Sequence, residues 1–200
     1  MNNTAIIILA AGSSSRLKKP KQLLVFKKHS FIQNITSIAV TAGLHPVIVV
    51  TGANADQVKI EIENNQASIV FNENWKQGIA SSVTAGIQKL STDESTEATI
   101  ITVCDQPFIT EALLKSLVQK KEETGKGIIA CEYAGTTGTP VLFSSKYFSA
   151  LTRLTGDEGA KKLLHQFEED VATIDFQEGK IDIDTADDYE RLKLLMRTNA

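Results

Sequence analysis

Cysteine is scarce in this chain. There are two in 200 residues, Cys104 and Cys131, with no Cys-x-x-Cys spacing and no histidine beside either. A thiolate zinc site and a disulfide framework both need several such residues at short spacing, so neither is expected. Each cysteine lies in an apolar run and reads as a reduced core residue. Positive charge is not in excess: the formal net charge is −3. That excludes a general electrostatic attraction to nucleic acid, and any phosphate binding must come from a local cluster of donors. Long hydrophobic runs are missing too. The first, Ala5 to Ala11, is far too short to span a bilayer and has no basic segment before it, so no membrane association is expected and the cytoplasm is the default compartment. There is no internal repeat. The most linker-like stretch, Ser91 to Glu97, has the length of an ordinary surface loop, so residues 1–200 are expected to form a single domain.

What is present is an ordinary globular composition, 42% hydrophobic and 22% charged, in which short apolar runs alternate with amphipathic segments. Strands are expected at Thr4–Ala10, Pro46–Thr51, Ser68–Phe71, Ala98–Cys104, Gly127–Tyr133, Val141–Phe143 and Val171–Phe176, with a further short one at Ile181–Asp184. Helices are expected at Ser30–Ala42, with Ser30 as N-cap and Gly43 beyond its end, and at Asp56–Asn64 and Ile79–Leu90. Others are expected from the cap Thr110 to about Glu123 ahead of Gly125, and at Lys146–Leu154, Glu158–Phe167 and Ala186–Met196. Strands separated by helices give right-handed βαβ units and an α/β fold with a mostly parallel, Rossmann-like sheet.

In such a sheet, ligands gather at the carboxyl ends of the strands, so the residues following each strand carry the information. After the first come Ala11-Gly12-Ser13-Ser14-Ser15-Arg16 and then Lys18-Lys19-Pro20-Lys21. Gly12 and the serines let the backbone curl around an anion and turn N–H groups toward it. Arg16 can grip phosphate oxygens in a bidentate fashion, and Lys21 adds a mobile point charge. The loop lacks the Gly-Lys-Ser/Thr ending of a Walker A sequence and the second and third glycines of GxGxxG. Spacing alone leaves open a solvated basic turn. Asp105 directly follows the fourth apolar run, where a carboxylate can hold Mg²⁺ together with phosphate oxygens. Its alternative use, capping the next helix, is better served by Thr110. Asp182 and Asp184 flank Ile183 and share a face in an extended segment, where they repel unless a cation lies between them. Capping of the last helix by Asp184 or Thr185 is the competing use. Gly78, Ser81 and Ser82 surround a helix start, which suits either anion binding or simple capping. Trp75 reads as a packing anchor, with ring stacking the lesser alternative. His29, His45 and His165 match no motif.

The string Leu9-Ala10-Ala11-Gly12-Ser13-Ser14-Ser15-Arg16 through Pro20-Lys21-Gln22-Leu23-Leu24 resembles the signature LAAGxSxRxGxPKxLL of the MobA-like nucleotidyltransferases, departing from it at Lys18, where that family usually has Gly. Asn72 to Ser82 is similar to NPxWxxGMxSSL and Asp105-Gln106-Pro107 to DQP. Gly138-Thr139-Pro140-Val141-Leu142-Phe143 is similar to GxPVLF, Gly156 to Lys161 to GDxGAR, and Asp182 to Thr185 to DIDTPxD. These motifs cover nearly the whole chain in the family's order. The resemblance implies a three-layer α/β/α fold of the nucleotide-diphospho-sugar transferase type and a Mg²⁺-dependent transfer of a nucleoside monophosphate. Arg16, Lys21 and Asp105 would then be catalytic, and Asp105 and Asp184 would hold metal. Leu9, Ala10, Ala11, Gly12, Ser13, Ser14, Ser15, Arg16, Lys21, Gly52 and Ser81 would bind the nucleotide. Ala10-Ala11-Gly12 leans toward CTP, and the closest match in kind is molybdenum cofactor cytidylyltransferase, with a phosphorylated acceptor such as molybdopterin and a molybdoenzyme or chaperone as possible partner. Thr136–Thr139 lacks the basic or amide residues usual before the proline, which bears on the acceptor. The alternatives are GTP or ATP as donor, a sugar or polyol phosphate as acceptor, or a non-catalytic nucleotide-binding or cofactor-delivery protein.

Overall fold

The computed structural model describes residues 3–17, 19–63, 65–91 and 95–198. Lys18, Asn64 and residues 92–94, on which parts of the loop and helix expectations rest, lie outside them. In chain order the elements are β1 (Thr4–Ala10), β2 (Val25–Phe26), β3 (His29–Ser30), α1 (Phe31–Thr41), β4 (Val47–Thr51), α2 (Ala55–Ile62), β5 (Ala67–Phe71), α3 (Ile79–Leu90) and β6 (Ala98–Val103). They continue as α4 (Glu111–Thr124), β7 (Ile128–Tyr133), β8 (Thr136–Ser144), α5 (Phe148–Leu151), α6 (Lys161–Gln166), β9 (Val171–Asp175) and α7 (Ala186–Thr198). Among the described residues no helix is long and apolar enough to cross a membrane.

The unbroken apolar run of β1 is explained by burial on both faces. Ile6, Ile8 and Ala10 enter one core with Ile32 and Ile35 of α1, Val58 of α2 and Leu114 of α4. Ala5, Ile7 and Leu9 enter the other with Val83 and Ile87 of α3, Leu151 of α5 and Leu163 of α6. This is the period of two that makes a central strand apolar at every position. The result is the expected three-layer α/β/α arrangement. The seven-stranded sheet runs β5-β4-β1-β6-β8-β7-β9. β1 pairs in parallel with β4 and β6, β4 with β5, and β7 with β9, while β8 is antiparallel to both its neighbours. The chain winds outward from β1 through β4 to β5, then returns to β6 on the other side of β1. The strand order therefore reverses between β1 and β6, which opens a crevice at their carboxyl ends.

Local signals explain the helix starts. The Ser30 hydroxyl accepts from the Gln33 N–H (3.3 Å) and the Gln33 side chain accepts from the Ser30 N–H (3.1 Å), forming a capping box on α1. Thr110 caps α4 by accepting from Leu113 N–H at 3.1 Å, which leaves Asp105 free of that task. Four expectations are corrected. Ile181–Asp184 is not a strand: Ile183 is buried against Leu17, Leu24, Phe26, Phe31 and Leu192, and its N–H donates once to the Asp105 carbonyl (3.3 Å) without forming a ladder. β8 begins at Thr136 rather than Val141, because the turn at Ala134–Gly135, with both φ angles positive, hairpins it directly onto β7. The helix expected at Lys146–Leu154 is a 3-10 turn at Ser145–Tyr147 leading into the four-residue α5, and that expected at Glu158–Phe167 shortens to α6. The β2–β3 ribbon was not expected at all.

Both cysteines are core residues. Burial, helped by the Asp105 carboxylate, pushes the Cys104 thiol up to about 12, and burial pushes the Cys131 thiol up to about 12 as well. At the far side of the sheet Asp170 accepts from Tyr147 Oη (2.5 Å) and pairs with Lys146 Nζ (2.7 Å). Partial burial opposes its charged form, but these two donors and the Gly127 N–H outweigh it and draw the carboxyl down to about 2.

Two outcomes follow from these ties. Ser30→Ala removes half of the capping box and should lower unfolding free energy by about 1 kcal/mol in urea titrations. A carboxyl lowered in the folded state stabilises above its unfolded value and loses that contribution as pH falls. Asp170→Asn should therefore be less stable than the parent at pH 7, by on the order of 1 kcal/mol after solvent screening, and the gap should close between about pH 4 and pH 2.

Candidate active site

The crevice between β1 and β6 is a cleft of about 500 Å³, lined on one wall by Leu9 to Ser13 with Lys21 and Gln22, and on the other by Trp75 to Ile79 with Ser82. Val103, Cys104 and Asp105 supply its floor, and Asp157 its rim. A slightly larger concavity, about 630 Å³, lies beside it over Gly52 to Gln57, Ile69 and Phe71. Lys21 and Asp105 line the first and not the second, which makes the first the candidate site.

Lys21 is the hub. It follows β1 by eleven residues, and the loop between folds it back over the carboxyl end of β6. Its ammonium bonds Asp105 Oδ2 directly and lies 3.2 Å from Asp184 Oδ1. Burial works against a charged lysine there, but the Asp105 carboxylate outweighs it, with help from Asp184, and holds the ammonium above the usual lysine range. Asp184 also accepts from Arg16 Nη2 at 2.9 Å. Asp182 is the third carboxylate of the group. Crowding by protein on its inner side, then repulsion from Asp105 and Asp184, raise it to about 6 against the pull of Lys21 and Gln106. Thr185 and Asp188 cap the last helix between themselves, Asp188 N–H donating to Thr185 Oγ1 at 3.2 Å and Thr185 N–H to Asp188 Oδ2 at 2.9 Å, so Asp184 is not the cap.

The first loop is pinned from below. Gln22, fully buried, donates from Nε2 to the carbonyls of Ala10 and Gly12, both at 2.8 Å. With those carbonyls held inward, the Ala11–Ser13 backbone borders the cleft. Ser14, in the left-handed region at φ 56°, accepts from Lys21 N–H at 2.9 Å, which fixes Lys21 relative to the loop. Ser15 and Arg16 lie on the exposed outer turn of the loop, and Lys18 lies outside the described residues.

The opposite wall rests on two close approaches. A Cβ at Gly52 would meet the Ala11 carbonyl at 2.6 Å and Trp75 Cβ at 2.8 Å, so only glycine lets Trp75 pack there and line the cleft. Gly78, at φ +100°, touches the Gly156 carbonyl, and that carbonyl accepts from Ala80 N–H at 3.1 Å in place of a side-chain cap on α3. Ser81 is taken up by this wall: it accepts from Asn72 Nδ2 (2.8 Å) and donates toward the carbonyls of Asn74 and Gly78. Ser82, one residue on, lines the cleft, and Gly52 borders the neighbouring concavity. Sequence reasoning missed Gln22 and Asp157. A lone amide between Lys21 and the apolar Leu23-Leu24 is the only hint of the first. The second sat inside a recognised motif without a role.

As a metal site the group fits in part. Asp105 Oδ1 is buried with no hydrogen-bond partner, and two carboxylates that alternate with phosphate oxygens suit a hard divalent ion. The Lys21 ammonium stands between those carboxylates, however, and among the described residues no cluster of three or more His, Cys, Asp or Glu side chains could hold a metal by itself.

The model of the MobA-like NTP transferase domain matches residues 6–171. The chain belongs to that family. Within it, the chain is 27% identical to nicotine blue oxidoreductase of Paenarthrobacter nicotinovorans, covering 93% of this chain and 94% of that one. It is 24% identical to the molybdenum cofactor cytidylyltransferase of Escherichia coli K12, covering 92% of each. Among solved structures, a mycobacterial homologue of Rv0371c from strain JC1 superposes with a TM-score of 0.82 at 29% identity, over 99% of this chain and 100% of that one. Rv0371c of Mycobacterium tuberculosis H37Rv, solved with manganese, gives 0.75 at 26% identity over 94% and 97%. Membership of the MobA-like NTP transferase family, with a cytidylyltransferase among the relatives, supports nucleotidyl transfer as the coarse activity.

The Lys21–Asp105 pair has a thermodynamic consequence. Lys21→Met strands Asp105, one of whose oxygens already lacks a partner, and should cost about 1–3 kcal/mol of stability. Adding Asp105→Asn to that variant should recover part of the loss, whereas additive losses in the double-mutant cycle would mean that the two side chains do not interact.

Proposed function

We propose that this protein transfers CMP from CTP to a phosphorylated small-molecule acceptor, molybdopterin or the molybdenum cofactor by preference, with release of pyrophosphate and with Mg²⁺ as cofactor. The observation that carries the reading is the ion-pair group Arg16–Asp184–Lys21–Asp105, of which Lys21 and Asp105 line a cleft walled by a glycine-containing loop at the sheet's switch point. Cations and carboxylates are paired there with each other, an arrangement that a polyphosphate with a divalent ion can exchange for cation–phosphate and carboxylate–metal pairs at no net charge cost. CTP is favoured by Ala10-Ala11-Gly12 and by the cytidylyltransferase among the relatives.

In this mechanism the acceptor's phosphate oxygen attacks the α-phosphorus in line and pyrophosphate leaves. A phosphate nucleophile is already ionised at neutral pH, so no general base is required. Positioning and charge stabilisation do the work. The Ala11–Ser15 backbone holds the triphosphate, with Leu9 and Ala10 beneath it. Lys21 leaves its carboxylates for the phosphate oxygens, and Arg16 meets the charge that grows on the departing pyrophosphate. Asp105 and Asp184, once released, would hold the Mg²⁺, which supplies Lewis-acid polarisation of the phosphates. Gly52 and Ser81 act through the wall that carries Trp75 and Gly78.

Pyrophosphate release, measured with each NTP against a panel of molybdopterin, sugar phosphate and polyol phosphate acceptors, tests this reading. The expected result is turnover with CTP and the pterin phosphate, falling by about 10²–10³ in Arg16→Ala and in Asp105→Ala while both stay folded. Near-parental rates in those variants would refute the assigned roles. A second reading, an oxidoreductase, has one observation in its favour: the nicotine blue oxidoreductase matches over nearly its full length. Turnover of an added electron donor, with no pyrophosphate from any NTP, would select it.

A further inference from the structure

Asp157 takes no part in the chemistry outlined above, yet it stands on the rim of the same cleft. It is held there by the contact between Gly156 and Gly78. The Gly156 carbonyl caps Ala80 N–H at 3.1 Å, and a Cβ on Gly78 would lie 2.7 Å from Asp157 Oδ1, so the carboxylate sits directly over the start of α3. Among the described residues no hydrogen bond or ion pair engages that carboxylate. Lys21, paired with Asp105, lies on the loop side of the cleft, whereas Asp157 is an exposed carboxylate on the opposite wall, which also carries Lys76, its ammonium 5.5 Å from the Trp75 ring centroid.

With the triphosphate on the Ala11–Ser15 backbone and Lys21, as proposed above, the base falls toward the opposite wall, where Leu9, Trp75, Ile79 and Val103 give it apolar surroundings and Asp157 stands at the rim. An ionised carboxylate only accepts hydrogen bonds. It favours a base edge that presents an amino group, such as N4 of cytosine, and opposes one that presents a carbonyl oxygen, such as O4 of uracil. We infer that Asp157 is a specificity-determining residue that selects nucleotides with an amino-bearing base. This rests on the reading of the cleft as a nucleotide site. Asp157 sets which base is accepted there, and it does so in the binding step, without acting on the reacting phosphates.

The test is equilibrium binding by calorimetry with Mg²⁺ and no acceptor, using pairs of NTPs of equal size that differ at the amino group: CTP against UTP, and GTP against ITP. The parent protein should prefer the amino-bearing member of the pair it binds by roughly 10- to 100-fold, the worth of a hydrogen bond to a charged group. Asp157→Ala should bring that ratio to within about threefold, and Asp157→Asn, whose amide can donate to a carbonyl, should raise UTP or ITP binding. A residue that merely caps α3 would weaken both members of a pair alike. The inference is overturned if the parent binds both members equally, or if Asp157→Ala keeps the preference. A parent that binds no NTP at all overturns the nucleotide reading first, and that failure is distinguishable because it is independent of Asp157.

Discussion

Asp105 and Asp184 reach the same place from opposite directions, one off the end of β6 and the other from the segment that leads into the last helix, and they would repel each other there. The ammonium of Lys21 lies between them and bonds both. Everything else in the site is arranged about that cation. The loop after β1 is held in shape by Gln22 so that Lys21 can fold back over β6. Arg16 shares Asp184 with it. Asp182 is raised to about 6 because the protein crowds it and the carboxylates of Asp105 and Asp184 repel its charge more than Lys21 and Gln106 offset. An internal cation of this kind keeps a carboxylate pair assembled before any divalent ion arrives.

The fold places that arrangement by topology rather than by local sequence. β1 and β6 are parallel neighbours, so their carboxyl ends lie side by side, and the reversal of strand order between them leaves a gap that no crossover covers. Two separate hydrophobic cores fasten the sheet above and below. A third, smaller cluster, built on Phe31 and Ile183, anchors the segment carrying Asp182 and Asp184 against the first loop. The opposite wall is tightened by contacts at Gly52 and Gly78 that tolerate no side chain. The cleft is therefore closely packed along its opposite wall.

Much of this was legible in the residues. Runs such as Ile6-Ile7-Ile8 can only be central strands, and Ser30, Thr110 and Gly125 mark helix ends by hydrogen-bonding chemistry that acts locally. The loop residues Ala11 to Lys21 suited either a phosphate-binding turn or a solvated basic turn by composition, and the family motif decided between them. What stayed hidden depends on distant partners. The Lys21–Asp105 contact joins residues 84 apart. The antiparallel insertion of β8 between β6 and β7 leaves no trace in a Val-Leu-Phe run that would suit either direction. Ile181–Asp184 alternates like a strand, but burial of Ile183 in a side-chain cluster, not pairing with a neighbour, explains the alternation. In the β2–β3 ribbon Lys27 and Lys28 both adopt positive φ, at 49° and 80°, where glycine or asparagine would have signalled the turn.

The central claim is that one cation, Lys21, occupies the carboxylate pair until a polyphosphate draws it away and a divalent ion takes its place. Electron paramagnetic resonance of Mn²⁺ titrated into the protein tests this directly. The account predicts weak Mn²⁺ binding alone, strong binding once a nucleoside triphosphate is added, and an equal, reciprocal gain in nucleotide affinity. In Lys21→Met the metal should bind without nucleotide. Tight Mn²⁺ binding to the parent protein in the absence of nucleotide, unchanged in Lys21→Met, would contradict it.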